Sequence, residues 1–343
     1  AAPSLFPPET TSFAPEPLSL DPYRDLAEHY APFVAQQTWF DPKSDYLRRF
    51  DFDGDWDGGN NWENMLRGSS QAYVYYTAME TATHWFLIYN FFHARDYSDK
   101  CVAGSCHEND NEGIVLTILK DGSPYGRLQV METLAHNNVY SFVADRAIGD
   151  GVHSIDGEIE LHEGSHPVIF IESGGHGIYG SLGVHSRYSY RDDVFSAGTG
   201  VTYVYRGQAE RPAHANARSV GYELLPIYSH WWIRATPEVG GKLRMFDDFF
   251  RYRPAGGRPE AALEMIGGAF YGRTEAVNKA KPFWGWHDTR TQRRGVLAVG
   301  QWGLDPAYAV SRNLRFPASE VFSLDYWFNP YLKLGSSGSG GLP

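Results

Sequence analysis

The sequence predicts an all-β protein, an antiparallel β-sandwich of jelly-roll type with helical decorations, and three observations carry that reading. Aromatic residues make up 15% of the chain, with 10 Trp and 22 Tyr, a composition that suits strands and the face between packed sheets. The 36 Gly and 20 Pro punctuate the chain too often for a helical bundle. Between them, runs of β-formers recur at 71–76, 83–92, 114–119, 127–131, 158–161, 167–171, 201–205 and 243–246.

Taken in order, residues 1–20 are proline-rich and unpatterned, which predicts an extended N-terminal arm. Asp21-Pro22 then opens a short helix over 26–34, with Leu26, Tyr30 and Phe33 on one face. The run 83–92 is apolar on both faces, as in a central strand. The runs 114–119 and 127–131 flank Asp121-Gly122, the turn chemistry of a hairpin. No internal repeat or boundary divides 21–334, which is read as a single domain, and the Gly/Ser-rich 335–343 reads as a flexible tail.

Charge and cysteine content narrow the function classes. The chain carries 30 basic and 41 acidic residues, a formal charge of -11, which argues against a nucleic-acid binder that needs a basic face. The most apolar run, 85–92, is too short to span a bilayer, leaving at most peripheral membrane contact. Cys101 and Cys106 are the only thiols, too few for a thiolate zinc site, and they read as a disulfide closing a small loop. That implies an oxidising compartment. Together with the proline-rich lead and the absence of an initiator Met, it predicts a secreted, mature chain.

The chemistry is concentrated at 107–112. Read as a strand, this segment puts Glu108, Asp110 and Glu112 on one face, with His107 at its irregular entrance. Three neighbouring carboxylates repel one another in a desolvated site and call for a divalent cation, with calcium or magnesium favoured by the oxygen ligands and zinc allowed by the imidazole. The plain alternative is a solvated acidic edge with a surface histidine. Asp96 and Asp99 follow the aromatic strand 83–92 and stand just across the cysteine loop, so either can join the cluster or simply pair with Arg95. His176 lies in Gly174-Gly175-His176-Gly177, a turn expected to present the imidazole at a loop tip as ligand or acid/base. A second acidic run, Asp53, Asp55 and Asp57, begins like a calcium loop. Asn64 stands where the twelfth-position Glu belongs, so a turn network capping its own backbone is the competing reading. Nucleophile-elbow, Walker and zincin motifs are absent.

The spacing His107-x-x-Asp110-x-Glu112, with Asp96 before it and Gly175-His176-Gly177-Ile178-Tyr179 after it, resembles that of NPP1-type necrosis-inducing proteins. The element 107–112, the strand 167–176 and the stretch 281–286 also resemble Vps62-related proteins. The resemblance implies a β-sandwich on which Asp96, His107, Asp110 and Glu112 line a divalent-cation site with His176 beside it. Glu108 falls outside the shared pattern. Glu108-Asn109 replaces the Arg-His pair of the NPP1 type and Asn111 its Trp. Two functions follow as expectations. The first is a secreted metal-dependent hydrolase, a phosphodiesterase acting on a lipid or polyol headgroup, with His176 and His107 as catalytic groups. The alternative is a non-catalytic, lectin-like or cytolysin-like protein that binds a glycan or lipid headgroup through the ion.

Overall fold

The doubly apolar run at 83–92 becomes the middle of a large sheet. The computed structural model describes residues 21–97, 101, 106–180, 199–253, 263–273, 279–289, 291 and 296–334. Within these, β1 (Phe33–Thr38), β2 (Tyr73–Thr81), β3 (His84–Asp96), β4 (His107–Leu119), β5 (Arg127–Ala135) and β6 (Asn138–Val143) are the framework. The strands β2 to β6 form an antiparallel meander, and Leu119 pairs with Arg127 across the expected hairpin.

On the other side of β2 the order runs through Val220–Pro226, Thr199–Tyr205, β1, His166–Ile171 and Ile178–Tyr179, giving a sheet of 13 strands in all. Here β2 pairs parallel to Val220–Pro226, that strand parallel to Thr199–Tyr205, and β1 parallel to His166–Ile171. The chain is therefore mostly β, as composition indicates, but the sheet is mixed rather than the antiparallel jelly-roll expected. Parallel pairs join segments far apart in sequence, and turn signals report only local hairpins.

Side-chain alternation on β3 explains the layering. Phe86, Ile88 and Phe92 enter one core, covered by Trp231, Phe270, Trp284 and Trp302 from later loops and short helices, among them Gln301–Leu304 and Pro306–Asn313. Leu87, Tyr89 and Phe91 enter a second core. This second core joins Val34, Ile169 and Tyr203 from one end of the sheet to Leu116, Met131 and Phe142 from the other. A single sheet thus curls until its own halves face each other across that core. Its terminal strand Ile178–Tyr179 lies against β4 and β5, with the Tyr179 ring 5.4 Å from that of Tyr140.

Three local expectations change: the strand expected at 158–161 is split between Ile155–Glu158 and Leu161–His162, and two others shift. The helix ends at His29 rather than running to residue 34, because Pro32 forces Ala31 out of the helical region and the chain enters β1 at once. The strand expected at 243–246 shrinks to the pair Phe246–Asp247, after Arg244 takes a left-handed φ of 57°. The segments 1–20 and 335–343, read as arm and tail, lie outside the described residues, as does Asp99.

Candidate functional site

The face of β4 that carries the chemistry is set by an irregularity at Asn109. Regular alternation would place His107 opposite Asp110 and Glu112. Instead Arg95 faces both Asn109 and Glu108, and Asn109 adopts a left-handed φ of 60°. Asn tolerates that conformation better than most residues. Its side chain fixes the kink: Oδ1 accepts from Asn61 Nδ2 at 2.6 Å, and Nδ2 donates to the carbonyls of Gly58 and Tyr271, both at 2.9 Å. Past the bulge His107 comes round to Asp96, its cross-strand partner, while Glu108 leaves the site. Glu108 instead accepts the backbone N–H groups of Trp62 and Arg273 at 2.7 and 2.9 Å. The strict strand parity expected for Glu108, Asp110 and Glu112 is thus corrected, and the subset His107, Asp110 and Glu112 remains.

These side chains are buried, so the cluster is no solvated acidic edge. His107 Nδ1 lies 2.7 Å from the carbonyl of Asn109 and must donate there, which in the neutral ring leaves the lone pair on Nε2. Nε2 is 3.6 Å from Asp96 Oδ2, too long for a hydrogen bond. Arg95 does not compete for Asp96, because its guanidinium pairs with Asp41 and lies over the rings of Trp62 and Tyr97. Glu112 Oε1 accepts from the His136 backbone N–H at 2.9 Å, whereas Glu112 Oε2 is buried with no hydrogen-bond partner. Such an orphan oxygen is costly unless something neutralises it.

His176 differs from its expected role. Its side chain is fully buried, because the curl of the sheet folds the turn before Ile178–Tyr179 onto β4. Nδ1 is 2.8 Å from Asp110 Oδ2, and Nε2 is 3.1 Å from Asp45 Oδ1. Burial pulls this imidazole down, but the two carboxylates outweigh it and hold it at about 10, a resident cation at neutral pH. Asp110 answers in kind: burial pushes it up, and the hydrogen bond from His176 brings it below its usual range.

Sequence reading missed Asp45, His136, Glu172 and Lys281. His136 and Asn137 form the two-residue loop between β5 and β6, both with positive φ, the pattern of a type I′ hairpin, and a signal of that kind was there to be read. The His136 ring pairs with Glu172, which raises it to about 10. Glycine admits this contact: a Cβ on Gly177 would stand 2.6 Å from Glu172 Oε1, and one on Gly175 2.7 Å from His136 Cε1. Lys281 is held down by burial, against the pull of Glu112 and Asp110.

Five carboxyl groups, Asp45, Asp96, Asp110, Glu112 and Glu172, therefore lie among three basic side chains, His136, His176 and Lys281. Asp96 and Glu112 are each pushed up to about 8, first by burial and then by Asp110 nearby, with His136 offsetting part of it at Glu112. A cavity of about 30 Å³, lined by His107, Asp110, Glu112, His136, Lys281 and Trp286, lies beside Glu112. It has room for an ion or one to two waters rather than a whole substrate. Among the described residues no three His, Cys, Asp or Glu side chains are closed into a ready metal-binding group. Glu112 Oε2 and Asn111 Oδ1, both without a hydrogen-bond partner, belong to residues that line this cavity.

The second acidic run has other partners. Asp53 accepts from Asn64 Nδ2 at 2.7 Å, Asp55 from the Asp57 N–H at 2.7 Å, and Asp57 from the Gly59 N–H at 2.9 Å. Asp57 also pairs with Arg244 at 3.0 Å. These are the turn-capping bonds of the competing reading. The disulfide Cys101–Cys106 is formed as expected, between the strands that bear Asp96 and His107.

No protein-family model matches the chain, and no curated protein matches it. Solved structures similar to it include a non-toxic HaNLP3 protein, at 11% identity over 68% of this chain and 84% of that one, with a TM-score of 0.32. NLPPya in complex with mannosamine matches at 16% identity over 49% and 71%, with a TM-score of 0.30. Necrosis and Ethylene inducing Protein 2, from the causal agent of cocoa's witches' broom disease, matches at 14% identity over 46% and 67%, with a TM-score of 0.28. Likeness at this level decides neither the fold nor the function of this chain.

Proposed function

We propose that this protein is a secreted, divalent-cation-dependent binder of a hydroxyl-rich ligand, a glycan or the polyol part of a lipid headgroup. Asp96, His107, Asp110 and Glu112 would hold the cation, calcium or magnesium in preference to zinc because three of the four donors are carboxylates. A cation there supplies a hard positive centre for hydroxyl oxygens. It also gives this acidic chain a means of meeting an anionic headgroup, which its net charge of -11 would otherwise repel.

One observation favours binding over the hydrolysis also expected. His176, the candidate for proton transfer, has both ring nitrogens committed to Asp110 and Asp45 and no exposed surface. An imidazolium in that setting positions Asp110 and has no proton to exchange with a substrate near neutral pH. His107 likewise spends Nδ1 on the Asn109 carbonyl, leaving one nitrogen for the cation. The Cys101–Cys106 disulfide supports an extracellular setting, since such bonds persist in oxidising compartments.

The test is metal analysis of the purified chain, followed by calorimetric titration with monosaccharides and with mixed phospholipid vesicles, each with and without chelator. The expected result is stoichiometric binding that chelator abolishes and no headgroup release. Metal-dependent turnover of a phosphodiester would establish the hydrolase instead, and failure to bind calcium, magnesium or zinc at micromolar concentration would remove the cation centre.

A further inference from the structure

Away from the cation centre, the helix Pro306–Asn313 runs into the short strand Leu314–Arg315, which pairs with Gly149–Asp150, and the chain then turns back over the sheet. Between these pieces lies an open groove of about 640 Å³. That is within the range of small-molecule sites, about 300–1,000 Å³, and some twenty times the volume of the cavity beside Glu112. Its floor is apolar: Phe316 and Phe322 pack with ring centroids 4.4 Å apart, beside Leu314 and Leu324. The fully buried His84 ring supports Phe322 from below at 4.4 Å.

Charge selects among apolar ligands. Arg312 and Arg315 both line the groove, and among the described residues neither guanidinium has a carboxylate partner; Arg312 lies over the Tyr308 ring. In a chain with a net charge of -11, two such arginines beside an aromatic floor stand out. The lining also includes one carboxylate, Glu320. Its oxygens accept from Gln129 Nε2 at 2.9 and 3.1 Å.

We propose that this groove is a second ligand site, independent of the cation centre, for a small amphipathic carboxylate: an alkyl body on Phe316 and Phe322, and a carboxylate held by Arg312 and Arg315. Guanidinium groups suit this role because their planar forks match carboxylate oxygens, and their charge is insensitive to pH. The apolar floor supplies affinity in proportion to chain length, and the arginines supply the preference for an acid over a neutral head.

The probes are octanoate, decanoate and 1-decanol, titrated calorimetrically into the full chain. Decanoate is expected to saturate one site per chain and to bind up to about fourfold more tightly per methylene than octanoate. It should bind at least about tenfold more tightly than decanol, the increment of a charged hydrogen bond. Arg312→Gln and Arg315→Gln, both at exposed positions, should each remove most of that preference with the near-ultraviolet dichroism unchanged. Chelator and Glu112→Gln should leave decanoate binding as it was, which separates this site from the cation centre whatever becomes of that reading. Absence of saturable binding, an undiminished preference for decanoate over decanol in both arginine variants, or loss of binding with chelator would each overturn the proposal.

Discussion

His176 lies flat against His93, with ring centroids 3.6 Å apart and planes 2° from parallel. The pair is unequal. His176 is held as a cation by Asp110 and Asp45, whereas burial and the charge of His176 keep His93 far below its ordinary pKa, as a neutral ring 2.9 Å from Gln36 Oε1. His176→Ala leaves Asp45 and Asp110 buried without their common cation. Removing one partner of such a group costs about 3–5 kcal/mol. Chemical denaturation measures it, and a loss below about 1 kcal/mol would show that solvent or another cation already compensates the carboxylates. His93→Phe keeps the stack and should cost less than His176→Ala.

Glu112 makes the opposite prediction, because its second oxygen is an unpaid desolvation cost until a cation arrives. Glu112→Gln keeps the acceptor for the His136 N–H and removes the ionisable group. In chelator the variant should be at least as stable as the parent, whereas its affinity for calcium or magnesium should fall by roughly tenfold or more, since affinity follows ligand charge. Calorimetry of both proteins, with and without ion, checks the two signs together. A variant less stable in chelator and unchanged in cation affinity would place the ion elsewhere.

Gly113 is a packing requirement of the same site. A Cβ there would stand 2.2 Å from the Trp286 ring and 2.3 Å from the Tyr89 carbonyl, and Trp286 is the apolar wall of the small cavity. Gly113→Ala should therefore destabilise by about 1–3 kcal/mol, the cost of overpacking. It should also weaken cation binding without touching a donor. Denaturation and ion titration give the two readings, and wild-type affinity would mean that Trp286 does not shape the cavity.

The candidate cluster is legible because charged side chains in an apolar strand are unusual at any level of structure. The run at 107–112 and the glycine-flanked His176 pointed to one place, and the curled sheet brings them within hydrogen-bond reach. What escaped was long-range. Asp45 has no local pattern to mark it, and it reaches His176 only because β1 pairs parallel with His166–Ile171. The burial of His176 escaped for the same reason: a Gly-Gly-His-Gly turn looks exposed until the sheet closes over it. The bulge at Asn109 lay in plain view as an Asn within a strand, yet period-two reasoning overrode it and assigned Glu108 to the wrong face.

The last prediction concerns pH, where the signs can be worked out beforehand. Asp96 and Glu112 titrate near 8 in the folded, ion-free chain and near 4 when unfolded. Between those values the folded state holds protons that the unfolded state has released, so this contribution to stability is complete below about pH 4 and is lost as pH rises through 8. His176 and His136, raised to about 10, add a loss of the same sign further up the scale. In chelator the melting temperature should therefore fall from pH 5 to pH 8, and saturating calcium or magnesium should flatten that decline by replacing the two protons. The exchange can be counted directly. Titration of the ion at pH 7, in two buffers of different ionisation heat, should show proton release approaching two per cation. A melting temperature independent of pH in chelator, together with no proton release, would mean that both carboxylates are already ionised without a cation.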